Sequence, residues 1–505
     1  FNGKYGSSFT REELVRELNR GDYNWRERWI DFIREGLHDF TYEISKTVAE
    51  CSPGTAMGYQ YCANGGYTGC GYDFIFRPMM EATGIAPVSR PGGGAYDGQR
   101  PDDFADKVNL LDWQNAMLPE YVSEIRPEIE NLPDVQFGKS VPSCAFETTL
   151  YFAHGATSMS YAMMMNDYEP MSWHQKMFSE FSRLKPYWLE LAKVNGYTTQ
   201  SGLVNAVSVD GWKRALSENE GDFSWTREAY SAVSPLSRCA IPIATAEPSK
   251  TIMSPTYILH SANAAVMSDR EIKRLLSLPV VCDGETLRIL GERGYVFGAR
   301  STACQTRQLY ERFTDHVINT GMEGRTWSQS FHYPNGHYIT DIDGTTEPIG
   351  YFATKALNLP PFFDGEYPYG LSSAIITTSE GAKWAVFGQY LWNRIISSNK
   401  RRQIISAAEY IGGKMKAVLE TPWQGQLLPR EDKEGNIVSV SFVNMTIGAS
   451  DPLKIRIRSP KSNSFYIMSQ SDPVRKPANA EIDDDGASVD IPPVAPWSVI
   501  TVFAE

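Results

Sequence analysis

The sequence predicts an α/β protein that ends in an antiparallel β-sandwich. Helical and strand-like segments alternate up to about residue 166, and this alternation predicts a parallel sheet flanked by helices. A second alternating α/β segment occupies residues 198–365. From residue 366 onward the pattern changes to short alternating strands, as in "NIVSVSFVNMTI" and "LKIRIRSP", which is typical of a sandwich. We therefore predict three domains, at residues 1–197, 198–365 and 366–505.

Length and composition agree with this division. A chain of 505 residues is too long for one ordinary core and suits about three domains. No run of 18 or more apolar residues is present, so we expect no membrane partner. The net charge of -12, without a long basic cluster, argues against a nucleic-acid partner. Aromatic residues make up 12% of the chain, which suits stacking against sugars.

The cysteines give no sign of a disulfide framework or a metal site. Seven are scattered along the chain without a CxxC spacing, so we expect neither a metal nor a cofactor. Cys62 and Cys70 lie in a loop rich in glycine and tyrosine and would pair only in an oxidising compartment. No signal peptide is recognisable, and Phe1 is not a typical start, so the residues alone leave the compartment unknown.

The first domain contains four predicted strands. They lie in "PGTAMGYQ", "IAPVSR", "SEIRPEIENLPD" and "ATSMSYAMMM", with predicted helices between them and elaborate loops at their carboxyl ends. Such loops are typical of a TIM-type (β/α)8 barrel, but a whole barrel needs about 250 residues. We therefore predict the second half of a barrel. A four-stranded doubly wound sheet is the alternative, although no GxGxxG or P-loop motif supports it.

The third strand carries the most informative residues. Glu128 and Glu130 are two positions apart, so a strand directs both side chains to one face. Buried carboxylates are costly unless they are paired or used in chemistry. Neighbouring carboxylates raise one another's pKa, which favours one nucleophile and one supporting or sugar-binding group. The alternative is a solvated strand edge without chemistry.

A glycine-rich loop, "RPGGGAYDG", follows the second strand. Its glycines permit a tight loop over a site. Arg90, Tyr96 and Asp97 lie in this segment, and Tyr59 lies near the end of the preceding strand. We name these four residues as candidate substrate-binding residues.

Three other motifs suggest functional sites of other kinds. "DIDGTT", which begins at Asp341, matches a phosphotransferase signature, but the polar segment before it favours a polar hairpin. His154 has no second ligand at metal spacing, which favours a hydrogen-bonded structural histidine. Cys282 is a candidate amidotransferase nucleophile, but the residues around it lack the GxCxG motif of a strained strand-to-helix turn.

The motifs resemble a known family. "RPEIENLPDVQFGKS" and "FETTLYFAHGATSMSYAM" look like the last two barrel strands of glycoside hydrolase family 42 β-galactosidases and their relatives in polysaccharide-degrading gut bacteria. "PVVCDGETLRILGERGYVFGAR" is similar to the family's flavodoxin-like second domain, which is linked to trimerisation. "AKWAVFGQYLW", with the C-terminal strands, is similar to its sandwich. The resemblance spans nearly the whole chain.

The resemblance implies a retaining glycosidase that acts on β-galactoside-type oligosaccharides by double displacement. The family's nucleophile falls on Glu128 or Glu130, and the residues do not decide between them. Its acid/base glutamate follows an asparagine at the end of the fourth barrel strand, a point just before this chain begins. The one Asn-Glu pair, at Asn219, lies beyond the barrel. We therefore expect neither the acid/base residue nor the family's zinc-binding cysteines in this chain.

Two further expectations concern function and assembly. The alternative function is a non-catalytic carbohydrate-binding protein on a glycosidase scaffold. Half a barrel exposes sheet edges, so we expect either a preceding segment that completes it or a homo-oligomer. The resemblance favours a trimer, and it favours a periplasmic or secreted location.

Overall fold

The computed structural model describes most of the chain. The described residues are 1–19, 23–61, 72–92, 101–130, 139–162, 170–214, 234–249, 256–304, 309–324, 326–329, 336–354, 367–389, 391–392 and 397–505. Among them, no helix is long and apolar enough to cross a membrane.

The first region, residues 1–197, combines helices with short strands. Its helices are α1 (Asn2–Tyr5), α2 (Arg11–Asn19), α3 (Tyr23–Cys51), α4 (Asp73–Thr83), α5 (Pro101–Ala116), α6 (Val141–Ala153) and α7 (Gln175–Asn195). Its strands are β1 (Gly58–Tyr61), β2 (Val88–Pro91), β3 (Glu124–Ile125), β4 (Glu128–Glu130) and β5 (Ser160–Ala162). A 3-10 turn, Met171–His174, precedes α7.

All the strand pairs of the first region are parallel. β2 lies between β1 and β3, and β4 pairs with β5. β3 and β4 together occupy the third predicted strand, which is interrupted at Arg126 and Pro127. The four predicted strand positions are therefore strands, joined by crossover helices as parallel pairing requires. Their closure into a barrel stays a prediction.

The middle region, residues 198–412, contains a large mixed sheet. The region begins with β6 (Thr199–Gln200), which pairs with a strand of the C-terminal region and not with this sheet. The strands of the mixed sheet are β7 (Leu203–Ala206), β8 (Ile243–Ala246), β9 (Tyr257–Leu259), β10 (Val280–Asp283), β11 (Ala299–Ala303), β12 (Leu309–Phe313), β13 (Thr326–Gln329), β14 (His337–Asp341), β15 (Glu347–Thr354), β16 (Tyr367–Thr377) and β17 (Lys383–Phe387). Its helices are α8 (Ser234–Ser237), α9 (Ser261–Val266), α10 (Asp269–Leu276), α11 (Gly284–Glu292) and α12 (Ser398–Gly412), with 3-10 turns at Gly211–Lys213 and Val317–Asn319.

Five strands of this sheet run parallel in the order β8, β7, β9, β10, β17. This is the strand order of flavodoxin-like sheets. A local capping motif starts one of the flanking helices. Ser268 and Glu271 form the reciprocal capping box of α10, as its "SDRE" start predicts.

The sheet continues beyond residue 366, which differs from the predicted strand assignment. β16 and β17 pair with each other, and β17 also pairs with β10. The segment that we assigned to the sandwich therefore begins with strands of the mixed sheet. Alternating strands look alike in an antiparallel extension and in a sandwich, so the sequence pattern did not distinguish the two. The predicted domain boundaries stay predictions.

The C-terminal region, residues 413–505, consists of two antiparallel sheets. Its strands are β18 (Ala417–Leu419), β19 (Gly425–Glu431), β20 (Ile437–Asn444), β21 (Leu453–Ile457), β22 (Phe465–Ser469), β23 (Lys476–Pro477), β24 (Ala480–Asp483), β25 (Gly486–Ile491) and β26 (Ser498–Ala504). One sheet has the order β18, β21, β25, β24, and the other has the order β23, β22, β26, β20, β19, β6. Apolar side chains of both sheets form one core between them.

The six-stranded sheet is covered on both faces. Its second face packs against α5, α6 and α7 in a core that includes Phe146, Leu184, Val443 and Phe503. A buried polar contact crosses this interface, where the Tyr187 and Thr501 hydroxyls lie 2.6 Å apart. The first region and the sandwich therefore share a hydrophobic core.

Candidate functional site

Two carboxylates meet on β4. Glu128 is buried, with 3% of its surface exposed, and Glu130 is half-buried. Their side chains share a hydrogen bond, as the two-residue period of a strand predicts. The strand therefore directs both groups to one face near its carboxyl end.

Side chains from two neighbouring strands hold Glu128. Gln60 on β1 lies directly opposite Arg90 on β2. The Gln60 amide donates to Glu128 Oε2 at 2.9 Å, and Arg90 donates both to Glu128 Oε1 and, at 2.8 Å, to Gln60 Oε1. We call Gln60, Arg90, Glu128 and Glu130 the carboxylate cluster. Three parallel strands thus bring one cation, one amide and two carboxylates together.

The electrostatic balance of the cluster raises the pKa of Glu128. Burial raises the pKa of Glu128, and its hydrogen bond with Glu130 raises that pKa further, whereas the Arg90 guanidinium lowers it. The net direction is upward. The cluster therefore holds a proton more readily than an isolated surface glutamate, in a site with a half-buried second carboxylate beside it.

The opposite face of the same strands is structural. Tyr59 and Tyr61 stack at 5.6 Å, and Tyr59 meets Phe76 of α4 edge to face at 6.1 Å. The Tyr61 hydroxyl lies 2.7 Å from Ser89 Oγ. Tyr59 therefore packs against α4, on the face of β1 away from the carboxylate cluster, and its role in substrate binding stays a prediction. Of the other candidates, Arg90 belongs to the cluster, and Tyr96 and Asp97 lie outside the described residues.

A buried ion pair supports the end of β4. Lys139 Nζ donates to the Glu130 carbonyl oxygen at 3.0 Å and pairs with the Glu147 carboxylate, and both side chains are fully buried. The Tyr151 hydroxyl donates to the other Glu147 oxygen at 2.7 Å. α6 thereby fixes the backbone that carries Glu130.

Sequence reasoning missed Gln60, Lys139 and Glu147. An amide between two tyrosines in "GYQY" carries little chemical signal, and only the register of β1 with β2 reveals its role. Lys139 and Glu147 had a weak signal. Lys139 precedes α6, and Glu147 lies in the middle of this largely apolar helix, where a charged residue requires a partner.

Glu124 is not part of the cluster. Its carboxylate accepts from Arg126 at 2.9 Å and from the Ser158 hydroxyl. The third glutamate of "SEIRPEIE" therefore takes part in a separate polar contact.

His154 is a structural histidine, as predicted. It is 3% exposed, and its Nδ1 lies 2.9 Å from Asp112 Oδ1 while its Nε2 lies 3.0 Å from Gln426 Oε1. The imidazole therefore links α5 and the end of α6 to β19 of the sandwich.

The remaining motifs do not form catalytic sites. "DIDGTT" forms an exposed turn between β14 and β15, in which Gly344 has φ +80° and its N–H donates to Asp341 Oδ1 at 3.1 Å. The turn is polar as predicted, but it is not a hairpin, because β14 pairs with β11 and β16. Cys282 is fully buried inside β10, and burial raises the pKa of its thiol. Such a thiol is a poor nucleophile.

No cluster of three or more His, Cys, Asp or Glu residues within the described part of the chain is arranged to hold a metal ion.

Comparisons with known proteins bear on the fold. The sequence matches no protein-family model and no curated protein. The structure resembles a β-galactosidase from Bacillus circulans sp. alkalophilus, with a TM-score of 0.57, 10% identity, and coverage of 96% of this chain and 68% of that chain. It also resembles α-L-fucosidase isoenzyme 2 from Paenibacillus thiaminolyticus, with a TM-score of 0.51, 11% identity, and coverage of 86% and 70%. The chain therefore has a mixed α/β fold similar to that of glycosidases.

Proposed function

We propose that the chain carries the nucleophile of a retaining glycoside hydrolase that acts on β-galactoside-type oligosaccharides, as in family 42. The observation that supports this most directly is the carboxylate cluster at the carboxyl end of a parallel strand. Active sites of (β/α)8 enzymes are built at such strand ends. The fold similarity to glycosidases supports the same reaction class.

Within this proposal, Glu130 is the nucleophile and Glu128 is the supporting group. Glu130 is the more accessible of the two and lies nearer the strand end. Arg90 and Gln60 already engage both oxygens of Glu128. Glu130 would attack the anomeric carbon as the glycosidic C–O bond breaks and the leaving oxygen takes a proton from the acid/base group. Water would then attack the same carbon of the glycosyl-enzyme, release the sugar and free the Glu130 carboxylate. Glu128, held in place, would orient Glu130 and contact the sugar hydroxyls.

The acid/base carboxyl must come from another element. Retaining enzymes place their two carboxyls about 5.5 Å apart across the scissile bond. Glu128 and Glu130 are hydrogen bonded to each other and cannot bracket a bond. The residues opposite them on β5 are Ser160 and Ala162, which have no carboxyl group.

Substitution of the two glutamates tests the proposal. With aryl β-galactosides, we expect Glu130→Gln to lower kcat/KM by roughly 10³-fold or more, and Glu128→Gln by about 10- to 100-fold, because only the nucleophile forms the covalent bond. Glu124→Gln is the matched control, since it lies on the same strand segment but outside the cluster. A 2-fluoro-β-galactoside should trap a glycosyl adduct on the peptide that contains Glu130. The unsubstituted protein must first be shown to hydrolyse the substrate. Equal activity of the Glu128→Gln/Glu130→Gln double variant would then refute the assignment.

A non-catalytic carbohydrate-binding protein is the second candidate. It is favoured by the lack of a carboxyl on the residues that flank the cluster in β1, β2 and β5. Calorimetry with β-linked galacto-oligosaccharides, followed by chromatography of the mixture, separates the two functions. Binding without products supports the second candidate, and released galactose excludes it.

A further inference from the structure

A cleft outside the carboxylate cluster lies between the first region and the sandwich. Its volume is about 750 Å³. One wall comes from the amino-terminal parts of α5, α6 and α7, and the other comes from residues 470–471 and 495–498 of the sandwich. Its size falls within the range of small-molecule sites. We call it the Trp497 cleft.

Trp497 has a strained backbone. Its φ is +50°, a value that bulky residues rarely adopt. The side chain is half-buried and meets Phe146 edge to face at a centroid distance of 5.6 Å, with Phe104 at 6.4 Å. Strained conformations persist only where the surroundings enforce them, and they are enriched at ligand sites. Phe104 and Phe146 thus hold the Trp497 indole in place in the wall of the cleft.

The polar side of the cleft is preformed. Arg183 donates to both oxygens of Glu180, at 2.6 and 2.8 Å, and also donates to the Gln470 carbonyl oxygen at 2.9 Å. The guanidinium therefore fastens α7 to the sandwich loop. Glu180 neutralises Arg183, and Lys176 at the rim of the same wall leaves one positive charge beside these hydrogen-bonding groups.

Gln470 supplies a group that lacks a protein partner. Its side-chain oxygen is buried and accepts no hydrogen bond within the described part of the chain. A buried acceptor without a donor is unfavourable, and rotation of the Gln470 side chain toward the cleft would let a ligand hydroxyl donate to this oxygen. The cleft thus combines an aromatic side chain with paired and unpaired hydrogen-bonding groups.

We propose that the Trp497 cleft is a second binding site, for a neutral oligosaccharide. A pyranose presents an apolar face that packs on an aromatic ring and hydroxyls that both donate and accept. The indole of Trp497 matches the first feature, and Gln470, Glu180 and Arg183 match the second. The cleft shares no lining residue with the carboxylate cluster, so this site does not depend on catalysis there.

The test is calorimetric titration of the full chain with β-1,4-linked galactotetraose, carried out in the Glu128→Gln/Glu130→Gln background so that no probe is hydrolysed. We expect Trp497→Ala and Gln470→Leu each to weaken binding by at least about 10-fold. Trp173→Ala is the matched control, because this tryptophan is 56% exposed and does not line the cleft. Ser143→Tyr, which fills the cleft from its rim, gives the same loss without removing an aromatic contact.

The outcomes separate this site from the proposed catalytic function. Loss, or at least about tenfold weakening, of one binding event per chain in the three cleft variants, with that event kept in Trp173→Ala, supports the site, whether or not a further molecule binds at the carboxylate cluster. The same number and strength of binding events in Ser143→Tyr and Gln470→Leu as in the parent chain overturns it. Lack of galactotetraose binding by the chain, or tighter binding of an acidic tetragalacturonate, also overturns it.

Discussion

Asp283 is a buried carboxyl whose protonation makes the stability of the middle region depend on pH. It is 1% exposed, ends β10 and caps α11 by accepting from the Thr286 N–H at 2.8 Å. Burial raises its pKa from 3.8 to about 6, against the opposing effect of the hydrogen bonds from Thr286. The folded state therefore binds this proton more tightly than the unfolded state does.

We expect Asp283→Asn to raise stability at neutral pH. The stability linked to this proton is fully present below pH 3.8 and is lost as pH rises through about 6, because the unfolded carboxyl ionises first. The shift corresponds to an upper estimate of roughly 3 kcal/mol. Asn keeps the capping oxygen and carries no charge. Thermal unfolding should show a higher midpoint for the variant at pH 7 and no gain at pH 3.5.

Asp484→Asn is the control for that comparison, since Asp484 is exposed. A variant midpoint that follows the wild-type midpoint at every pH would show that Asp283 ionises in the folded state as readily as in the unfolded state.

At the scale of single residues, the sequence predicted which side chains share a face of one strand, but not which side chains of neighbouring strands meet them. The spacing of Glu128 and Glu130 was enough to place them on one face. The same alternation did not fix which face of β1 points toward them, so Tyr59 was assigned to the site and Gln60 was not. β1 has only four residues, with one amide between two tyrosines. Its sequence therefore does not show which of its two faces meets the carboxylates.

One buried amide joins the end of α7 to the end of α6. Asn195, near the end of α7, donates to the Phe152 carbonyl oxygen at 2.6 Å and to the Ala156 carbonyl oxygen at 2.7 Å. It is 7% exposed. Carbonyl groups at the end of a helix lack intrahelical partners, so Asn195 supplies donors that the end of α6 needs.

We expect Asn195→Ala to cost roughly 2 kcal/mol, because it removes the side-chain donor to two buried carbonyls, although the Phe152 carbonyl keeps the Gly155 N–H. Asn195→Asp, which keeps the shape but turns acceptor oxygens toward those carbonyls, should cost more. Asn463→Ala, at an exposed position, should change little. Thermal or urea unfolding measures all three, and an Asp variant more stable than the Ala variant would contradict the donor role.

Elements were predicted more reliably than their partners. The four strand positions of the first region, and α3, α5, α6 and α7, occur where hydrophobic periodicity places them, because periodicity reports burial of a face, whereas α1, α2 and α4 were not predicted. The pairing of β16 with β17, and of β17 with β10, is a long-range fact that no local pattern contains. For the same reason, "DIDGTT" was identified as a turn while the partners of its flanking strands were not.

At the scale of the whole molecule, the first region and the sandwich are joined by the core that α5, α6 and α7 share with the six-stranded sheet. Leu428, Val443, Tyr466, Val499 and Phe503 of the six-stranded sheet are buried there. Without the helices, these side chains would form an exposed apolar face on a sheet. The sandwich is thus one part of a larger folding unit.

We therefore expect residues 413–505 to aggregate when expressed alone. Replacing Val443 and Val499 with threonine and Tyr466 and Phe503 with lysine should improve solubility, because the inner core of the sandwich does not use these side chains. Sedimentation and circular dichroism report the outcome. A soluble monomer with cooperative unfolding and no substitutions would show that the shared core is dispensable.

The homo-oligomer, with a trimer as the expected form, also stays a prediction at this scale. Sedimentation velocity of the chain over a range of concentrations measures it. A monomer at all concentrations would contradict it.

Strand β26 lies between β20 and β22 at the centre of the six-stranded sheet. Its side chains alternate between two cores, with Val499 and Phe503 in one and Ile500 and Val502 in the other. A ribosome adds this strand after every other strand that the structure describes. The apolar surfaces of α5, α6 and α7, which are synthesised hundreds of residues earlier, therefore stay exposed until β26 is made. Nascent chains should depend on chaperones until β26 emerges, and a premature stop codon a few residues before it should be as damaging as one much earlier.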